Sequence, residues 1–150
     1  MGDRLFFEDL SVGQLFHSGS HTIDTGQIKR FAEQFDPQPF HLDEVAAAKS
    51  LFSGLVSSGW HTAALTIRLL VNGGLPIAGG IIGAGADITW PRPTRPGDEI
   101  KVVSEVIEVR PSRSKPDRGI AVVRSETHNH HGEVVQVMTA KLIVPRRTRN

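Results

Sequence analysis

Two titratable side chains, Asp36 and His41, lie five positions apart in the segment Asp-Pro-Gln-Pro-Phe-His. A carboxylate and an imidazole can together hold one water molecule, with one group accepting a proton and the other steering or donating one. Pro37 and Pro39 fix their own φ angles and keep the preceding residues extended, so we expect a rigid segment that is not helical. The spacing predicts a general acid–base site. The alternative is a helix-end hydrogen bond beside a solvent-exposed histidine.

A helix that would position this pair is predicted immediately before the segment. Four apolar residues follow the i, i+3, i+4, i+7 spacing of an amphipathic helix: Ile28, Phe31, Ala32 and Phe35. Asp24 followed by Gln27 can serve as the capping pair at its N-terminus. Asp36 should therefore lie where this helix ends.

Two more helices are predicted after the acid–base segment. Asp43 can cap a short helix over residues 44–49. Ser57 or Ser58 can cap the next helix, with Gly59 in its first turn. The apolar stripe of that helix comprises Trp60, Ala63, Ala64, Ile67, Leu70 and Val71. We expect this stripe to be buried, as in the central helix of a core.

The second half of the chain has the pattern of β-strands. Residues 99–110 are rich in β-branched side chains, and 120–129 and 134–144 follow as two further strands. Residues 130–133 read as a hairpin loop, and the sequence Arg-Pro-Gly-Asp at 95–98 is a turn signal. Helices followed by strands, without βαβ alternation, predict an α+β fold.

These residues together resemble the MaoC-like acyl dehydratases, whose best-known members are the R-specific enoyl-CoA hydratases. The resemblance covers nearly the whole chain, and its most specific part is the Asp-x-x-Pro-x-His-x-Asp core from Asp36 to Asp43. Further matches are Ser58-Gly59-Trp60 and the run from Trp90-Pro91-Arg92-Pro93 to Arg95-Pro96-Gly97-Asp98. The resemblance implies the hot dog fold, a curved antiparallel sheet wrapped around one long central helix, assembled as a homodimer.

The resemblance also implies roles for individual residues. Asp36 and His41 would hold the water that adds to a 2-enoyl thioester, and the amide of Gly59 would bind the thioester carbonyl. Gln38, Ser58 and Trp60 would contact the substrate, which would be an acyl-CoA or acyl-carrier thioester. No cofactor is implied beyond the coenzyme A of the substrate. Taken without the family, Gly59 could equally serve as a helix cap or as a point of close packing.

Basic residues that could bind the phosphates of coenzyme A lie in two places. Arg92 stands among prolines, and Arg113 and Lys115 lie in a predicted loop between two strands. The alternative for that loop is a solvated turn without ligand. The C-terminal arginines Arg146, Arg147 and Arg149 are expected to contribute little, because chain ends are usually disordered.

The chain departs from the best-known hydratases at three positions. Gln38 stands where they have Asn, Ser58 stands where they have His, and Ile67 stands where many of them have a small serine. These differences suit a short, branched or polar acyl group as well as a straight chain. Two other functions stay open: a hot dog thioesterase, which usually needs a carboxylate that the helix after Gly59 lacks, and a non-catalytic acyl-CoA binding subunit.

Composition limits the remaining possibilities. The 150 residues make one domain, 1–150, with a net charge of +1 that argues against nucleic-acid binding. The chain has no cysteine and its first ten residues lack an apolar signal sequence, so we expect a cytoplasmic protein. The most apolar stretch, 75–88, is too short and glycine-rich to span a membrane. We expect no metal site at His128, His130 and His131, because no carboxylate spacing supports one.

Overall fold

A five-stranded antiparallel sheet forms one layer of the protein in the computed structural model, which describes residues 4–147. The strands are β1 (Leu15–Thr22), β2 (Ile82–Thr89), β3 (Glu99–Pro111), β4 (Arg118–His128) and β5 (Val134–Pro145). Their order across the sheet is β1-β3-β4-β5-β2, so β1 and β2 form the two edges. The three predicted strands are confirmed to within two residues at each end.

Four helices form the second layer: α1 (Thr25–Phe35), α2 (Pro39–Leu42), α3 (Glu44–Ala48) and α4 (Gly59–Leu69). The helix caps are those that the sequence predicts, because Asp24, Asp43 and Ser58 each accept a hydrogen bond from a first-turn amide. A π-helical turn, Leu70–Gly74, continues α4. The predicted α+β class is confirmed.

The buried face of α4 differs from the one expected. Trp60 is 60% exposed and Ile67 is 40% exposed, whereas His61, Thr62 and Thr66 are buried. The prediction was wrong for Trp60 and Ile67, although Leu70 is buried, because the buried face of α4 carries a histidine and two threonines that a pattern of apolar residues cannot identify. The threonines can be buried because their hydroxyls find hydrogen-bond partners, some of them on the helix itself.

The two edge strands were not predicted. In β2 the glycines Gly83 and Gly85 replace the β-branched residues that usually signal a strand. The segment is nevertheless held by regular pairing with β5, with a register shift between Gly83 and Gly85. Its backbone pairs on one side only, since β2 is an edge of the sheet.

The segment from Asp36 to His41 is also less extended than predicted. Gln38 is extended, with φ −96° and ψ 146°, but Pro39 begins the helical turn α2, which contains His41. Proline is tolerated at the first position of a helix because its missing N–H would have no partner there. The expectation that the prolines exclude helix was therefore wrong from residue 39 onward.

The end of the described chain is better anchored than expected. Arg147 Nη1 lies 2.7 Å from Asp9 Oδ1, and Arg146 lies over the ring of Phe7. Arg149 lies outside the described residues. No helix within residues 4–147 is long and apolar enough to cross a membrane. The cytoplasmic location stays a prediction.

Candidate active site

Asp36 and His41 converge because a helix ends and another begins between them. Asp36 is the C-cap of α1, and its amide still donates to the carbonyl oxygen of Ala32. His41 lies in α2 and is buried. Asp36 Oδ2 and His41 Nε2 are 3.3 Å apart.

The orientation of the His41 ring is fixed by a main-chain carbonyl. His41 Nδ1 lies 2.7 Å from the carbonyl oxygen of Val56. A carbonyl oxygen can only accept, so Nδ1 must carry a hydrogen and donate it. Nε2 is therefore the ring nitrogen that can exchange a proton, and it faces Asp36.

Two further side chains hold the carboxylate of Asp36. Ser58 Oγ donates to Oδ2 over 2.6 Å, and Gln38 Nε2 donates to Oδ1 over 2.6 Å. Burial raises the pKa of Asp36 and is the largest single effect, but the bonds from Ser58 and Gln38 and the nearby His41 ring outweigh it. The pKa of Asp36 lies below its usual value, and the group is ionised at neutral pH.

Ser58 and Gly59 connect the pair to the start of α4. Ser58 Oγ also accepts from the amide of Trp60, which makes Ser58 the helix cap. Among the described residues the amide of Gly59 has no hydrogen-bond partner. An unpaired first-turn amide at the positive end of a helix dipole can bind an oxygen that carries negative charge.

A cavity of about 460 Å³ brings most of the predicted site residues together. Its wall includes Asp36, Gln38, His41, Gly59, Trp60 and Arg92, together with the aromatic side chains of Phe40, Phe52 and Trp90. Ser58 is fully buried and reaches the cavity only through its bond to Asp36. Arg92 is largely exposed, and its Nη1 lies 3.1 Å from Glu133 Oε2.

Arg113 and Lys115 do not reach this cavity. They lie in the turn between β3 and β4, at the end of the strands where Pro111 pairs with Gly119. The cavity lies at the other end of the sheet, close to the hydrogen bond between Trp90 and Gln136 near the start of β5. Within one protomer these cations are therefore separated from Asp36. The sequence could not predict this separation, because the pattern of strands and loops does not show at which end of the sheet a turn lies.

A second cavity, of about 300 Å³, lies between α4 and the sheet. Its lining is apolar, with Ile67 and Leu70 from the helix side and Met138 and Leu142 from β5. The small residues of β2 complete its wall. It shares no lining residue with the first cavity.

His61, in the first turn of α4, is a buried histidine. Its ring stacks on Phe31 at 4.6 Å, and its Nδ1 is buried without a hydrogen-bond partner among the described residues. Burial lowers the pKa of His61 to about 4, with smaller contributions from His21 and His41. The ring is therefore neutral at pH 7.

Trp90 is a cavity residue that belongs to a run matching the family but for which the sequence analysis predicted no role. An ideal Cβ placed on Gly59 would lie 2.7 Å from Trp90 Cε2, so the indole packs directly on the glycine. Trp60 meets Trp90 edge to face, with ring centroids 5.3 Å apart. The signal in the sequence was its place in the matched run Trp90-Pro91-Arg92-Pro93.

The arrangement suits proton transfer to and from a bound water or substrate. An ionised carboxylate and a ring nitrogen that can exchange a proton face each other at a cavity wall, beside an unpaired amide. No cluster of three or more metal-binding side chains occurs in the part of the chain that the structure describes.

Comparison with known proteins identifies similar sequences. A family model described as "MaoC like domain" matches residues 11–129. The 3-hydroxybutyryl-CoA dehydratase of Methylorubrum extorquens is 34% identical over 112 residues, which are 74% of this chain and 69% of that protein.

Solved structures give the same result for the fold. A MaoC-like dehydratase from Rhodospirillum rubrum is 59% identical with a TM-score of 0.95, covering 97% of this chain and 99% of that one. The R-hydratase PhaJ1 of Pseudomonas aeruginosa, in its unliganded form, is 27% identical with a TM-score of 0.79, covering 96% of this chain and 88% of that one. The predicted hot dog fold is confirmed, with a sheet that is not closed.

Proposed function

This chain belongs to the MaoC-like dehydratase family, and from that membership we propose that it adds water to a 2-enoyl thioester or removes water from a 3-hydroxyacyl thioester. The names of two relatives favour this reaction class, since one is a 3-hydroxybutyryl-CoA dehydratase and the other an R-hydratase. Coenzyme A is the proposed carrier, with an acyl-carrier protein as the alternative.

One observation carries the proposal. Asp36 Oδ2 lies 3.3 Å from His41 Nε2 at the wall of a cavity that also contains the amide of Gly59. Hydration of an enoyl thioester needs a group that accepts a proton from water, a group that protonates the α carbon, and a donor for the enolate oxygen. The cavity offers a candidate for each.

In the proposed mechanism one water contacts both Asp36 Oδ2 and His41 Nε2 from the cavity side. Its oxygen bonds to the β carbon, one of its protons is accepted by the pair, and a proton passes from the pair to the α carbon. The exchanged proton is the one at His41 Nε2, because the hydrogen on Nδ1 is held by the carbonyl of Val56. Asp36 stays ionised and holds the water as an acceptor.

The amide of Gly59 would stabilise the charge that forms on the thioester oxygen. As the β carbon is attacked, electrons move onto the carbonyl and an enolate forms. A backbone N–H that is already in place stabilises this charge without reorganising, and the helix dipole adds to the effect. Gln38 and Ser58 contribute by holding Asp36, and Trp60 contributes a wall of the cavity.

Arg92 is the proposed contact for the phosphates of the carrier. It lies at the cavity wall with an exposed guanidinium, which suits a charged group that stays partly in solvent. Arg113 and Lys115 have no part in this proposal, because they lie at the opposite end of the strands.

We propose a homodimer as the working assembly. The edge strand β2 leaves one side of its backbone unpaired, and the apolar side chains of Ile82 on β2 and Ile67 on α4 are exposed, as is Val71 in the turn that follows α4. The unpaired N–H and C=O groups of such an edge can pair with the same strand of a second copy. Light scattering after size-exclusion chromatography tests this, and a mass of 16.4 kDa at micromolar concentration would contradict it.

The reaction is tested by incubating the purified protein with crotonyl-CoA and with branched enoyl-CoAs. Loss of the conjugated enoyl absorbance without release of free thiol supports the hydratase. Release of thiol indicates a thioesterase, which the absence of any carboxylate in α4 disfavours. Saturable binding without either reaction indicates a binding subunit, and in both of these cases the proposed function fails.

A further inference from the structure

Trp90 is held against the first turn of α4 by a buried chain of hydrogen bonds. Its Nε1 donates to Gln136 Oε1 over 2.9 Å, and Gln136 Nε2 donates to Thr66 Oγ1 over 3.0 Å. Gln136 and Thr66 are completely buried. These two hydrogen bonds therefore link Trp90, at the cavity wall, to the middle of α4 through the Gln136 side chain of β5.

Each hydrogen bond that joins Trp90, Gln136 and Thr66 can have only one direction. An indole N–H can only donate, so the amide oxygen of Gln136 must face Trp90 and its NH₂ must face Thr66. Thr66 then uses its single hydrogen on the carbonyl oxygen of Thr62, 2.9 Å away, and Thr127 must donate to Thr66 over 2.7 Å. An orientation that reverses the Gln136 amide would leave buried donors facing each other, which costs free energy.

The hydrogen bonds hold the Trp90 ring against Gly59. A Cβ on this residue would lie within 2.7 to 2.9 Å of three atoms of the indole, so the ring covers the glycine on one side. Trp90 also lines the cavity that contains the pair of Asp36 and His41. The ring thus limits the side from which an oxygen can approach Gly59.

We propose that Trp90, oriented by Gln136, is a positioning residue that sets the approach of the thioester oxygen to the amide of Gly59. This rests on the proposed function, because it assumes that Gly59 binds the thioester oxygen. Trp90 acts through the geometry of that contact and exchanges no proton with the substrate. A buried polar side chain that orients an aromatic wall explains why glutamine occupies a core position of β5, where an apolar residue would cost less to bury.

Two variants break the same bond from opposite ends. Trp90→Phe keeps an aromatic ring and removes the donor, and Gln136→Met keeps the side-chain length and removes the acceptor. We expect kcat for crotonyl-CoA hydration to fall by about 10- to 100-fold in each, with KM changed by less than about twofold. The double variant should be no worse than the more damaging single variant, because both act through one bond.

Ser104→Ala is the matched control. Its hydroxyl is also fully buried and makes a 2.7 Å hydrogen bond, to Ser125, but it lies outside the cavity. We expect a loss of stability without a loss of kcat. Equal losses of kcat in this control would reduce the effect of Trp90 to general destabilisation and overturn the proposal.

A second measurement does not depend on turnover. Butyryl-CoA has the thioester but no double bond, so its bound carbonyl stretch can be read by difference infrared spectroscopy. We expect the stretch to shift to lower frequency in the wild-type protein and to return toward the solution value in either variant. An unchanged shift in both variants overturns the positioning role while leaving hydration intact. A wild-type protein that binds butyryl-CoA without the shift, or does not bind it, overturns the role of Gly59 as well.

Discussion

The hydroxyl of Ser58 donates a 2.6 Å hydrogen bond to Oδ2 of Asp36, the carboxylate oxygen that also faces the candidate proton-exchanging ring. Ser58 is fully buried, so the donor side of this bond is shielded from solvent. The same hydroxyl caps α4 by accepting from the amide of Trp60. One side chain therefore holds the carboxylate and the start of the helix in register, and a change at Ser58 should affect both.

Replacing either member of the pair should abolish turnover and preserve the fold. We expect Asp36→Asn and His41→Gln to lower kcat by about 10²- to 10⁴-fold, because each removes one proton-transfer partner. Circular dichroism should be unchanged. Asp43→Asn is the matched control, since Asp43 caps α3 from an exposed position and asparagine caps equally well. Full activity in either pair variant would contradict the proposed mechanism.

The carboxyl group of Asp36 should titrate below the usual range of an aspartate, as followed by its carboxyl carbon shift in NMR spectra. Hydrogen bonds from Ser58 and Gln38 favour the charged carboxylate and lower its pKa. Removing a donor raises the pKa. Ser58→Ala should therefore move the titration of Asp36 to higher pH, and Gln38→Ala should move it less.

A control variant distinguishes the change in the pKa of Asp36 from the loss of the helix cap. Ser58→Ala also costs about 1 kcal/mol of stability at every pH, because the cap on Trp60 is lost. Ser50→Ala removes another helix-end hydroxyl, one whose hydrogen bonds go to Ala47 and Phe52 and not to Asp36, and should leave the titration of Asp36 in place. A titration of Asp36 that does not move in Ser58→Ala would show that the Ser58 hydrogen bond does not lower the pKa of Asp36.

Local features of the site could be predicted from the sequence. The caps Asp24, Asp43 and Ser58 act within three residues of their own position, so their patterns carry the information. The five-residue spacing of Asp36 and His41 likewise predicted that both side chains could meet. It did not predict that His41 would lie in a helix, because a proline at the first helical position looks like a helix breaker.

Contacts between distant segments could not be predicted in this way. Trp90 and Gln136 are 46 positions apart, and no local pattern pairs them. The glycine-rich β2 becomes a strand only because β5 offers a partner edge. Tertiary context of this kind overrides propensity, which is also why the exposed and buried faces of α4 were assigned wrongly.

Arg92 should matter only for substrates that carry phosphates. Arg92→Gln should raise KM for crotonyl-CoA by about 3- to 10-fold, a modest effect because the guanidinium is largely exposed. KM for crotonyl-N-acetylcysteamine, which has no phosphate, should not change. Arg113→Gln is the control at the far end of the strands and should change neither value. An equal effect of Arg92→Gln on both thioesters would contradict phosphate binding.

His61 should make the folded state sensitive to mild acid. The pKa of a histidine is 6.5 in an unfolded chain, and that of His61 is about 4 in the folded protein. Between pH 6.5 and pH 4 the unfolded chain therefore binds a proton that the native state does not bind. The free energy of unfolding should therefore be unaffected above pH 6.5, fall by up to about 3 kcal/mol as the pH drops to 4, and fall no further below that through this group. His61→Leu should remove this loss, as measured by urea unfolding at pH 7 and pH 4.5, and the same replacement at the exposed His17 is the matched control. A pH dependence that stays the same in His61→Leu would show that the ring is protonated inside the folded protein.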